Sequence, residues 1–219
     1  MVAFSDSRSA RSCPSLRDPR RKGEEKVMVT ALDFIKYTKG LPIAAVMIHG
    51  RSYEKPFAGE IDYEIIKSVK NFLADSKTII LGNGGIKTPE DAKIMLEKTG
   101  CDGLGLARGV CGKPWLFKQI KDYLKACPQP RLGIGKYQEI SGRELKKIIL
   151  RHAQLAFKSK GEHGIIELRK HLCWYVSARH SPGAPRMRGG LPGAKEMRKK
   201  LVAVKNFDDI KKVLENFEF

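Results

Sequence analysis

The sequence predicts a mixed chain, a parallel α/β sheet within residues 27–130 followed by an all-helical region over 131–219. Three observations carry this reading. Apolar runs of strand length alternate with stretches whose apolar residues recur at helical spacing, the signature of strand–helix units in a parallel sheet. Beyond residue 141 only the helical spacing continues. Of the formal net charge of +18, residues 131–219 carry +11, against +4 for 27–130 and +3 for 1–26.

Residues 1–26 are rich in Ser and Arg, show no apolar periodicity and lack the apolar stretch of a secretory signal, so they read as a disordered basic segment. Regularity begins near residue 29. Thr30 to Tyr37 reads as a helix that stops before Gly40, and Ile43-Ala-Ala-Val-Met-Ile-His49 is a buried-strand run. Ile61, Ile65, Ile66, Val69, Phe72 and Leu73 fall at helical spacing. Thr78-Ile-Ile-Leu81 is the second strand, ending in Gly82-Asn83-Gly84-Gly85. Thr88-Pro89-Glu90-Asp91 supplies a capping hydroxyl, a proline at the first helical position and an acid three residues on. That helix closes at Gly100. Gly103-Leu-Gly-Leu106 is the third strand, and after Pro114 a helix presents Trp115, Leu116, Ile120, Tyr123 and Leu124 on one side.

In the tail, Leu145, Ile148, Ile149, His152, Leu155 and Ala156 mark one amphipathic helix, and Ile165, Leu168, Leu172 and Tyr175 a second. Two more follow near 194–204 and 207–217, which together make a small helical bundle. Arg169 and Lys170 stand side by side with His171 and Trp174 close by, a set suited to phosphate contact and base packing, or equally to a core Trp flanked by solvated charges. Residues 181–188 and 191–198 share Pro, Gly, Ala, Met and Arg at an offset of ten, a short tandem duplication that makes 180–193 a basic loop.

Composition narrows the function classes. At 42% hydrophobic residues the chain is too apolar for wholesale disorder, and it has no apolar run of about 18 residues to span a bilayer. The five cysteines include no CxxC pair, so neither a disulfide framework nor a metal-ligand spacing is present, and a reducing, cytoplasmic setting fits. The positive charge predicts a polyanionic partner, nucleic acid being the commonest.

Ligands of parallel α/β folds meet the carboxyl ends of the strands, which here carry His49, the Asn83-Gly84-Gly85 turn and Ala107-Arg108-Gly109. A glycine pair after a strand exposes successive N–H groups suited to a phosphate, although such glycines also serve plain turns. Arg108 beside Gly109 offers a guanidinium and further N–H groups at the neighbouring strand end. His49 suits a hydrogen bond to a ring cofactor or substrate, or to nearby backbone.

Four stretches taken together resemble the tRNA-dihydrouridine synthases: Met47-Ile-His-Gly-Arg-Ser52, Ile80-Leu-Gly-Asn-Gly-Gly-Ile-Lys-Thr-Pro-Glu-Asp-Ala92, Thr99-Gly-Cys-Asp-Gly-Leu-Gly-Leu-Ala-Arg-Gly109 and Gly112-Lys-Pro-Trp-Leu-Phe117. Glu167-Leu-Arg-Lys-His171 and Trp174-Tyr175 are similar to that family's helical tRNA-binding domain. The resemblance implies the last three strand–helix units of a (β/α)8 TIM barrel that binds FMN, followed by the helical domain. It further implies reduction of uridine in tRNA with NADPH. By the same resemblance His49 touches the flavin, Asn83, Gly84, Gly85, Ala107 and Arg108 hold the FMN phosphate, and Arg51, Arg169, Lys170 and His171 face RNA. The family often has an acid at the position of Gly85 and a glycine at that of Ala107. Its catalytic cysteine lies in an Asn-x-Gly-Cys-Pro-like loop, and no such motif occurs in these 219 residues, so no catalytic residue is assigned. Cys101 and Cys111 read as small packing residues.

Three strands are fewer than the eight of a barrel of about 250 residues and leave two open sheet edges, which predicts self-association. The change near residue 23, from patternless sequence to a close family resemblance, suggests a chain that lost its upstream part. Two rival readings follow: an RNA-binding remnant without catalysis, and a different FMN-phosphate barrel oxidoreductase, which the basic tail disfavours.

Overall fold

The computed structural model describes residues 29–52, 59–126, 140–177 and 193–216. The basic segment 1–26, nearly all of the 180–193 loop and the first copy of the tandem duplication, 181–188, lie outside the described residues. The architecture is mixed α/β, a small parallel sheet and many helices, arranged in two compact units: Met1–Gly84 with Met95–Gly105, and Gly85–Ile94 with Leu106–Phe219.

The first unit holds the sheet. Strands β1 (Ala45–His49), β2 (Ile79–Asn83) and β3 (Gly103–Gly105) are parallel in the order β1-β2-β3. Register pairs Met47 with Leu81 and Leu81 with Gly103, and one step further His49 with Asn83 and Asn83 with Gly105. Helices α1 (Ala31–Tyr37) and α2 (Tyr63–Phe72) complete this unit together with the C-terminal half of α3 (Pro89–Thr99). Successive strand residues alternate between faces. Ile48, Ile80 and Gly82 are buried, as are Ile66 and Val69 of α2 and Met95 of α3, whereas Met47 and Ile79 are about half exposed. A Cβ on Gly82 would lie 2.9 Å from Cys101 Sγ and 3.0 Å from Met95 Sδ, so α3 packs where only glycine fits. The Asp102 carboxylate accepts from the Ile80 N–H at 2.8 Å and from Lys70 Nζ at 2.6 Å, tying the start of β3 to β2 and α2.

The expected helix starts are present. Thr30 and Asp33 form a capping box on α1, Asp62 caps α2, and the Thr88 hydroxyl accepts from the Asp91 N–H while Asp91 accepts from Thr88. Strand β2 extends two residues beyond its apolar run, which places Asn83 in the ladder and not in the following turn.

In the second unit α4 (Leu116–Ala126) precedes α5 (Gly142–Tyr175), α6 (Ala194–Ala203) and α7 (Phe207–Glu215). Capping boxes Ser141/Glu144 and Asn206/Asp209 open α5 and α7. The two helices expected over 145–156 and 165–175 are the arms of α5, joined with no loop by a single non-helical residue, Gly161 (φ 58°, ψ −142°). That conformation favours glycine. The arms fold back on each other: His152 meets Tyr175, Lys160 pairs with Glu167 at 2.6 Å, and a Cβ on Gly164 would strike the Ala156 carbonyl. Ile149, Ala153, Ile165, Leu172, Leu201 and Ile210 are fully buried in one core shared by α5, α6 and α7, and Trp115 packs against it. Leu155, expected on the apolar side, is instead about half exposed. Among the described residues no helix is long and apolar enough to cross a membrane.

Candidate functional site

At the carboxyl ends of the strands, β1 delivers His49, β2 Asn83 and β3 Gly105 at one level of the register. Asn83 links them. Its side-chain nitrogen donates to the Gly105 carbonyl at 2.6 Å, and its side-chain oxygen lies 2.6 Å from His49 Nδ1. The chain leaves β2 through Gly84 (φ 127°) and Gly85 (φ 65°), conformations in which a side chain is strained. A Cβ on Gly84 would lie 3.4 Å from His49 Nδ1, so this turn borders the imidazole.

Within the second unit, the stretch that starts at Gly85 meets the turn that follows β3. A Cβ on Gly109 would collide with the Ile86 carbonyl, so the Gly85-Ile86-Lys87 and Arg108-Gly109 backbones touch. Ala107 and Arg108 are exposed and lead into a 3-10 turn, Arg108–Val110. Asp91 accepts from the N–H groups of Lys87 and Thr88. Lys113, in the Gly112–Phe117 stretch but assigned no role there, is a half-buried lysine whose pKa desolvation lowers from the ordinary amine value. Its only sequence signal is a lysine ahead of Pro-Trp.

The expected RNA-facing residues separate into different settings. Arg51 donates from Nε to the Gly59 carbonyl at 3.2 Å. Arg169 donates from Nε to the Val204 carbonyl at 2.8 Å, which ties α5 to the end of α6. Lys170 is exposed. His171 stands edge-on to Trp174, centroids 4.8 Å apart, and to His152, 5.4 Å apart. His152 in turn shares a 3.0 Å hydrogen bond with the Tyr175 hydroxyl. Burial lowers the pKa of both histidines, and the positive charges of His152 and Lys170 lower that of His171 further. Desolvation raises the Tyr175 phenol. The sequence placed His152 only on an apolar helix side, because its ring partners lie on the other arm of α5.

The first unit thus carries a strand-end histidine held by an amide. The second carries two touching glycine turns beside an arginine and a helical region with an aromatic group. The family model described as dihydrouridine synthase (Dus) matches residues 20–216. The chain belongs to the dihydrouridine synthase family. It is 32% identical over 203 residues to a "Probable tRNA-dihydrouridine synthase" of Mycobacterium tuberculosis (strain ATCC 25618 / H37Rv), covering 90% of this chain and 46% of that relative. Against tRNA-dihydrouridine synthase B of Pseudomonas putida, identity is 30% over 190 residues, 85% of this chain and 49% of the relative. Against tRNA-dihydrouridine synthase B of Vibrio vulnificus it is 34% over 158 residues, 71% and 46% respectively. The chain therefore spans about half the length of the curated relatives it matches.

Proposed function

We propose that the protein serves FMN-dependent, NADPH-driven reduction of uridine to dihydrouridine in tRNA. In this reading the chain contributes the last three strand–helix units of a (β/α)8 flavin barrel and a helical tRNA-binding domain. The observation that carries it is the contact of the Gly85-Ile86 and Arg108-Gly109 turns in a chain of this family. Two glycine-bearing turns at the ends of adjacent parallel strands, with a guanidinium at one of them, fit a phosphate monoester. FMN, when bound, supplies two-electron reduction of the uracil C5–C6 bond. The chain's own residues bind and orient: Gly84, Gly85, Ala107 and Arg108 receive the phosphate, His49 meets the ring, and Lys170 and His171 meet RNA. The proton-donating cysteine loop of the family is not among these residues, so binding, and not turnover, is what this chain is tested for.

The test is tRNA binding by the full chain across a salt series, with FMN titrated in parallel. Binding should weaken linearly in log–log form as salt rises. Lys170→Ala should reduce the magnitude of the slope by about 1 without changing sequence preference. Arg108→Ala should weaken FMN and leave tRNA affinity unchanged. Absence of tRNA affinity at low salt overturns the proposal. tRNA binding with no FMN uptake would favour the second reading, an RNA-binding chain without catalysis.

A further inference from the structure

We propose that Asn83 is a positioning residue that holds His49 in the tautomer carrying its proton on Nδ1. The assignment follows from donors and acceptors alone. The Gly105 carbonyl can only accept, and it lies 2.6 Å from one end of the Asn83 amide, so that end is the NH2 group. The other end is then the oxygen, and it lies 2.6 Å from His49 Nδ1. A carboxamide oxygen only accepts, so Nδ1 carries the hydrogen and the neutral ring keeps its lone pair on Nε2.

The backbone enforces this order. His49, Asn83 and Gly105 are register partners, and the ladder continues past them through the Gly50 N–H to the Asn83 carbonyl at 3.0 Å. Gly84 borders the imidazole, since a Cβ there would reach 3.4 Å from Nδ1 and 3.5 Å from Cε1. Both ends of the Asn83 amide are committed to protein.

The test is a long-range 1H–15N spectrum of the full chain labelled at histidine nitrogens, recorded well above the imidazole titration range. The expected result is a single pattern with protonated Nδ1 and unprotonated Nε2, assigned to His49 by its disappearance in His49→Gln. Asn83→Asp still accepts from Nδ1–H and should keep the pattern, although it cannot donate to Gly105. Asn83→Ala should lose it and show the tautomer mixture of an unrestrained imidazole. A protonated Nε2 in the wild-type chain, or the same mixture in wild type and Asn83→Ala, overturns the proposal. The wild-type spectrum decides this even if a variant fails to fold. FMN titration of the same sample keeps this role distinct from the flavin reading: a locked tautomer without FMN binding upholds the positioning role.

Discussion

The sheet and the C-terminal helices close their apolar surfaces in different ways. In the sheet unit, burial is one-sided: Ile48, Ile80, Ile66, Val69 and Met95 are buried, while Met47 and Ile79 on the opposite strand face stay about half exposed. Parallel sheets are ordinarily covered on both faces. The C-terminal helices instead share one core from Leu145 to Leu214, fully buried at Ile149, Ile165, Leu172, Leu201 and Ile210. An amphipathic helix can bury its single stripe against a near neighbour in the chain, whereas a sheet has two faces and needs a layer on each. The helical region thus satisfies itself locally, while in the sheet unit, among the described residues, one strand face is buried and the other is half exposed.

The sharpest way to break this contrast is to truncate one residue on each side. Leu172→Ala removes a fully buried side chain and should cost about 2–5 kcal/mol in denaturant unfolding of the full chain. Met47→Ala, on the open face, should stay within about 0.5 kcal/mol of wild type. Equal losses would mean that the sheet face is covered after all.

A smaller effect probes the α5 hairpin. Gly164→Val places a branched side chain against the Ala156 carbonyl and should destabilise by about 1–3 kcal/mol, read by the same unfolding measurement. Wild-type stability in this variant would show that the arms are not in close contact.

The mildest effect separates the regions by pH. Burial lowers the pKa of His152 and His171 below the ordinary imidazole value of about 6.5, so the unfolded chain binds protons more readily than the folded one. Their contribution is fully present above about pH 6.5 and falls as pH drops below it toward the folded-state values. In the sheet unit, the Ile80 N–H and then Lys70 lower the pKa of Asp102. Its contribution is present above the ordinary carboxylate value near 3.9 and is lost only as pH falls further, through the lowered folded-state value. Hydrogen exchange followed from pH 7 to pH 4 should therefore loosen the helical region first. Simultaneous loosening of both would contradict this assignment.

Much of this was legible before any coordinates. Capping pairs such as Thr30/Asp33 and Ser141/Glu144 act over three residues, and strand runs and helix stripes are patterns over ten, so the sequence by itself determined the elements, their order and their charged tail. The glycine turns at 84–85 and 108–109 were also visible, since a positive φ or a close approach selects glycine directly. Only the tertiary structure decided that Asn83 spans from His49 to Gly105, that Arg169 is tied to Val204, and that His152 joins His171 and Tyr175. Those partners lie 22 to 35 residues apart for every hydrogen bond among them. Strand register and the reversal at Gly161 bring them together, and neither leaves a periodic trace in the chain.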